Sequence, residues 1–105
     1  MKCFVLFRLK PDVTPSAYEE WFRANNVPAV RRLRSISSYR VWKVAGVMEG
    51  EPTFEYLEEM ELADRGEFER EIEAVPEIAA MLESWYEQVA DQVIVYGEEL
   101  ELGRG

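Results

Sequence analysis

The sequence predicts an α+β domain in which helices cover one side of a four-stranded antiparallel sheet, in the chain order β-α-β-β-α-β. Four short stretches of alternating or continuous apolar character read as strands, two longer stretches with apolar residues at helical spacing lie between them, and Pro, Gly and Asp punctuate the joins. At 105 residues the chain has room for one core. We place that domain at residues 1–97 and read residues 98–105 as an acidic tail.

The first strand, Lys2 to Leu9, is apolar on both alternating faces, with Phe4 and Leu6 on one and Cys3, Val5, Phe7 and Leu9 on the other. A strand of that kind is buried on both sides. Thr14-Pro15 then supplies an N-cap and a proline at the first helical position. The helix that follows carries Tyr18, Trp21, Phe22 and Asn25 on one face. Asn25-Asn26-Val27-Pro28 predicts a break, because the residue before proline is disfavoured in helical geometry. A short helical segment over residues 28–33 resumes it.

The second strand is predicted over residues 36–47, with Tyr39 and Val41 on one face and Arg40, Trp42 and Val44 on the other. The third covers residues 54–62, with Phe54, Tyr56, Glu58, Met60 and Leu62 on one face. Asp64 and Glu67 form an N-terminal capping pattern for a helix carrying Phe68 and Ile72. Val75-Pro76 breaks it. An apolar stripe of Ile78, Met81, Leu82, Trp85 and Val89 extends the helical region, and residues 92–97 form the last strand.

This order is that of a ferredoxin-like, or split βαβ, fold. Its helices cover one sheet face, and alternation puts Trp42, Phe54, Tyr56 and Met60 on the other. An uncovered apolar surface of that size is unusual on a monomer. A homodimer in which two sheets pack face to face covers it.

Composition narrows the chemistry. The net charge of −9 disfavours a nucleic-acid or anionic membrane surface. The charge is polarised: nine of the 12 Lys and Arg but only three of the 21 acids lie in residues 1–45. The opening apolar run is too short for a signal or membrane-spanning segment, and a single cysteine fits a reducing compartment, so the expected location is the cytoplasm. With no His and one Cys, no metal site of the usual ligand types and no cofactor are expected. Phosphate-cradling glycine loops are absent too.

What is left is carboxylate, phenol, amide and guanidinium chemistry. Glu58 stands out, because alternation aims it inward between Tyr56 and Met60, where burial raises a carboxyl pKa toward neutrality. It is the candidate catalytic acid or base, with Tyr56 as a hydrogen-bond donor. The competing expectation is an ion pair between Glu58 and Arg40 or Lys43. Arg40 and Trp42 offer a cation and an aromatic wall to a flat ligand, although packing is the more ordinary role for Trp42. Asn25 and Asn26 sit at the helix interruption, where amides reach a pocket mouth or cap a helix. Cys3, Val5, Phe7, Met60 and Trp85 are the candidate apolar wall. Cys3 is a packing residue there, since no His activates it.

Several short motifs together resemble a known family. They are the opening Lys2-Cys3-Phe4-Val5-Leu6-Phe7-Arg8-Leu9-Lys10 with Asp12 and Thr14, then Tyr18-x-x-Trp21, and Asn26-Val27-Pro28 with Val30 and Leu33. Tyr39-x-Val41, Lys43-Val44-x-Gly46 and Tyr56-Leu57-Glu58 complete the set. Over residues 2 to about 97 the chain resembles the RedY-like (HapK-like) group of dimeric α/β-barrel proteins, related to the stress-responsive barrel proteins and olivetolic acid cyclase. The resemblance implies a homodimer whose sheets form a barrel, with a hydrophobic pocket between sheet and helices in each subunit. It also implies binding of a small aromatic or polyketide-like molecule, and cyclisation, dehydration or cofactor-free oxidation. Cys3 stands where the cyclase relatives carry a pocket histidine, so acid/base work would fall to Glu58, with Tyr56.

Three functions are compatible with these residues. The first is a cofactor-independent cyclase or dehydratase acting on an aromatic, pyrrole-, indole- or polyketide-like intermediate. The second is a non-catalytic dimer that binds a small apolar molecule, and the third a cofactor-free monooxygenase.

Overall fold

Alternation along the first strand sets the architecture. In the computed structural model, which describes residues 1–103, β1 (Lys2–Leu9) has Cys3, Val5, Phe7 and Leu9 buried beneath the helices and Phe4 and Leu6 half-buried on the opposite face. It lies inside a four-stranded sheet of order β2-β3-β1-β4, formed with β2 (Ile36–Lys43), β3 (Tyr56–Leu62) and β4 (Val89–Gly97). All three pairings are antiparallel. The sheet is the one expected for a ferredoxin-like α+β fold.

The helices are α1 (Pro15–Trp21), α2 (Val27–Val30), α3 (Arg65–Ala74) and α4 (Pro76–Tyr86). Thr14 caps α1, its Oγ1 accepting the Ala17 N–H at 3.2 Å, and Asp64 caps α3, its Oδ2 accepting the Glu67 N–H at 2.8 Å. Both caps follow the sequence pattern. Val75, extended at φ −90° and ψ 110°, separates α3 from α4 ahead of Pro76, as expected.

Three details depart from expectation. The helix does not break before Pro28: Val27 is helical at φ −60° and ψ −49°, and a π-helical turn over Phe22–Asn26 links α1 to α2. In a regular helix the ring of Pro28 would meet the carbonyl four residues back. The wider turn, with the Val27 N–H bonded to the Phe22 carbonyl, accommodates it. β2 ends at Lys43 and β3 begins at Tyr56, shorter than predicted. Val89 opens β4 and is not part of the α4 stripe, because the last strand starts three residues earlier than the apolar run suggests.

The faces of the sheet are also reassigned. Register pairs Cys3 with Met60, Val5 with Glu58 and Phe7 with Tyr56, so Tyr56, Glu58 and Met60 point toward the helices with the inner face of β1. Arg40 and Trp42 pair with Glu59 and Leu57 and belong to the opposite, open face. The prediction that Trp42 shares a surface with Tyr56 and Met60 is therefore corrected. β2 and β3 meet in a register that sets the odd residues of one beside the even residues of the other. The open face is still apolar at its centre, carrying Phe4, Leu6 and Leu57, with Val93, Val95 and Trp42 well exposed.

The core on the helix side is aromatic. Phe7 stacks on Tyr56 at 5.4 Å between ring centroids and meets Tyr18 and Trp85 edge-on. The Trp85 indole N–H donates to the Tyr18 hydroxyl at 3.0 Å, which satisfies both buried groups. Among the described residues no helix is long and apolar enough to cross a membrane. Residues 98–103, the described part of the predicted acidic tail, form no helix or strand and are exposed, and residues 104 and 105 lie outside the described chain.

Candidate active site

A mainly apolar cavity of about 210 Å³ lies between the helix side of the sheet and α2, α3 and α4. Cys3, Val5 and Met60 form its floor, and Ile78, Met81 and Trp85 its opposite wall. Two polar side chains, Asn26 and Glu58, reach it from the β3 side of the floor and the helical turn above. Toward solvent it is bounded by Tyr86, Ile94 and Tyr96. Tyr96 is tied to α3: its hydroxyl donates to Glu69 Oε1 at 2.7 Å, and the Arg65 guanidinium lies over its ring at 4.1 Å.

Glu58 is only 5% exposed, and among the described residues it makes no ion pair. Its contacts are neutral donors. The Tyr39 hydroxyl donates to Oε1 at 2.6 Å, and the Asn26 Nδ2 donates to the Tyr39 oxygen at 2.7 Å. The order of donors fixes the direction of the Tyr39 proton. With an amide N–H filling an acceptor site on the phenol oxygen, the O–H is left to point at the carboxyl group.

Burial pushes the Glu58 pKa from its ordinary 4.5 up to about 7, while hydrogen bonding from Tyr39 and the nearby Asn26 amide opposes the rise. Tyr39 is pushed upward by burial and by the Glu58 charge, so it stays a phenol and a donor at neutral pH. Cys3 is raised to about 11, first by burial and then by Glu58, which keeps it a thiol. Of these groups, Glu58 is the one whose pKa burial brings close to neutrality.

Of the residues singled out from sequence, the structure brings Glu58, Asn26, Cys3, Val5, Met60 and Trp85 to this cavity. Phe7 is packed deeper, between Tyr56, Tyr18 and Trp85. Tyr56 is displaced along the strand, and its hydroxyl donates to Glu19 Oε2 at 2.8 Å, away from Glu58. Arg40 and Trp42 face the other side of the sheet, with Trp42 50% exposed. Asn25 points outward and donates to the Trp21 carbonyl at 3.1 Å. Asn26 makes no side-chain cap.

The alternative ion pairs of Glu58 do not form. Arg40 is across the sheet, and Lys43 bonds to Glu19 at 2.9 Å. The phenol that Glu58 uses is Tyr39, which sequence reasoning did not single out as a site residue. A signal for it existed. Tyr39 and Val41 share a face, Val41 pairs with Glu58, and a tyrosine diagonal to a carboxylate on an adjacent strand is within reach.

This geometry defines an α+β protein of ferredoxin-like fold with a buried carboxyl, free of any cation among the described residues, in an apolar cavity. Residues 1–100 match the family of the REDY-like protein HapK, and the chain belongs to that family. The structure is similar to that of HapK from Hahella chejuensis, at 18% identity and a TM-score of 0.73, covering 100% of this chain and 98% of that one. It is also similar to a dimeric ferredoxin-like protein of unknown function from Thermobifida fusca, with 23% identity, a TM-score of 0.68 and coverage of 90% and 85%. A hydroxynitrile lyase from Passiflora edulis has the same fold at 11% identity and a TM-score of 0.77, with 95% of each chain covered. No curated protein sequence matches the chain.

The raised value of Glu58 has a sign for stability. The folded state binds the proton more tightly than the unfolded chain, so this contribution is complete below about pH 4.5 and is lost as pH rises through about 7. Glu19, Glu59, Glu69 and Glu71 are shifted the other way, and their contributions fade only in acid below that window. A buried group shifted this far contributes a change of about 3 kcal/mol across the window. Denaturant unfolding at pH 5 and pH 8 is expected to show lower stability at pH 8 for the native protein, and Glu58→Gln is expected to flatten the difference.

Proposed function

We propose that this chain is a cofactor-independent acid/base catalyst of the cyclase or dehydratase type. Its substrate would be a small aromatic molecule of the pyrrole, indole or polyketide-like kind that enters the apolar cavity. The observation that carries this reading is Glu58, buried against the cavity without a cation among the described residues, where burial pushes its pKa up to about 7. Such a group takes a proton from one substrate atom and returns it to another without a large uphill step in either direction.

Each neighbour has a part in that cycle. When Glu58 loses its proton, the Tyr39 O–H steadies the carboxylate through Oε1, and Asn26 holds Tyr39 in that orientation. A dehydration needs a proton removed beside an activating group and one given to a departing hydroxyl, which leaves as water. A carboxyl titrating near 7 supports both steps. Met60, Trp85 and Val5 would exclude bulk water and hold the ring system. The hydroxynitrile lyase among the similar structures makes lyase chemistry a reasonable use of this fold.

A two-copy assembly belongs to the same proposal. The open sheet face carries Phe4, Leu6, Leu57 and Trp42 with charged residues around them, and a second copy of that face is its natural cover. Sedimentation of the native protein at micromolar concentration is expected to give twice the chain mass. Trp42→Glu, which sets a charge on the half-exposed apolar surface of that face, is expected to weaken association at least ~10-fold, about 1.4 kcal/mol. A native monomer would remove the assembly from the proposal.

Catalysis by Glu58 is tested with a nitrobenzisoxazole, a flat apolar probe whose ring opens when a base removes its carbon-bound proton and the N–O bond breaks. The rate in the native protein should rise with pH through about 7. Glu58→Gln should lower it by roughly 100-fold or more, the usual scale of a positioned general base. Probe binding with equal, background rates in both proteins would instead mark a small-molecule binding protein.

A further inference from the structure

The cavity leaves one polar atom without a partner. Among the described residues the buried Glu58 carboxyl accepts one hydrogen bond, from the Tyr39 hydroxyl at Oε1. Oε2 accepts none, because the Asn26 Nδ2 donates to Tyr39 instead. No Lys or Arg lines the cavity, so its wall supplies no cation for that oxygen. Other part-buried carboxylates of this fold are paired: Glu59 with Lys2 at 2.8 Å and Glu19 with Lys43 at 2.9 Å.

The outer boundary of the cavity is aromatic and its surroundings are acidic. Tyr86 and Ile94 stand half-exposed there beside Tyr96. Tyr86 meets Trp85 at 5.2 Å between ring centroids, so aromatic surface runs from solvent to the inner wall. Aromatic ring faces attract cations, and the Arg65 guanidinium 4.1 Å from the Tyr96 centroid is one such contact. Residues 65–97, which contain α3, α4 and β4, carry eight acidic residues against Arg65 and Arg70. A cleft in a negative field concentrates cations and repels anions.

We propose that the cavity takes a flat, apolar ligand bearing a positively charged nitrogen, which seats against Oε2 of Glu58. A carboxylate alone in apolar surroundings is costly, and so is an ammonium group. Brought together, they offset much of that cost, and the nitrogen donates the hydrogen bond that Oε2 lacks. A ligand with its own carboxylate meets repulsion at the same place. An alcohol of the same shape supplies a hydrogen bond but no charge. The inference rests on the cavity and carboxyl of the proposed function and narrows its substrate to the cationic members of that class.

The test measures binding of three probes of one shape, naphthylmethylamine, naphthylmethanol and naphthoate, by calorimetry. At pH 8, where Glu58 is largely ionised and the amine still protonated, the native protein should bind the amine at least ~10-fold more tightly than the alcohol, and naphthoate most weakly. The preference for the amine over the alcohol should shrink toward one at pH 5 and should be lost in Glu58→Gln, whose folding is checked by far-UV circular dichroism. Cys3, Tyr18 and Tyr39, the other titratable groups that feel Glu58, are all shifted upward and stay protonated across that range, so the change reports Glu58. Equal affinity for amine and alcohol in the native protein at pH 8, or tighter binding of naphthoate, would overturn the proposal. An amine preference unchanged at pH 5 or in Glu58→Gln would also overturn it, by placing the cation on the acidic surface outside. If nitrobenzisoxazole is still opened by Glu58 in those cases, the catalytic reading stands and only the ligand class falls. Failure of all three probes to bind would overturn the cationic-ligand proposal together with the cavity as a ligand site.

Discussion

A carboxyl group held out of water with no cation beside it is the constraint around which the rest of this protein is arranged. Burying an unpaired charge is among the most costly things a fold can do, and the usual outcome is that the group keeps its proton. Glu58 avoids the full cost through two neutral donors in series, Asn26 to Tyr39 and Tyr39 to Oε1. Neutral donors lower the cost of ionisation without abolishing it. A salt bridge with Lys43 would have fixed Glu58 as a permanent anion, but Lys43 is engaged by Glu19 instead. The result is a group balanced between its two states.

That balance depends on elements far apart in sequence. Pairing of Val5 and Val41 with Glu58 puts the carboxyl on the helix side of the sheet. A slip of one residue in β3 would move it onto the open face and turn Glu59 and Glu61 inward, and water on the open face would return Glu58 to ordinary acidity. Asn26 reaches Tyr39 from the last residue of the π-helical turn, which itself exists because Pro28 cannot be accommodated by a regular helix. A proline that interrupts a helix in the sequence therefore aims an amide in the structure. π-helical turns recur at functional sites, and this one follows that habit.

Much of the fold was legible in the sequence, because its strongest signals are local. Thr14 and Asp64 are caps by chemistry and position, Val75-Pro76 is a break by sterics, and the two-sided apolar character of β1 marks a central strand. Glu58 was legible as an inward carboxyl for the same reason. Which face counts as inward was not, because alternation fixes relative sides within a strand and says nothing of how two strands are registered. Alternation alone therefore groups Arg40 and Trp42 with the site and leaves Tyr39 out. Asn25 and Asn26 were indistinguishable in sequence; the five-residue turn separates them, turning one to solvent and the other to Tyr39. Tyr56 was assigned to Glu58 by proximity along β3, but a strand carries side chains two residues apart about 7 Å apart, and Glu19 captured its hydroxyl.

The central claim is that Glu58 titrates near neutrality inside the folded protein. Isotope-edited infrared or carbon NMR of labelled glutamate side chains, assigned by loss of one signal in Glu58→Gln, follows that carboxyl directly. The account predicts a midpoint near 7, well separated from the other glutamates. A midpoint close to 4.5 would contradict it, since Glu58 would then be an ordinary solvated carboxylate.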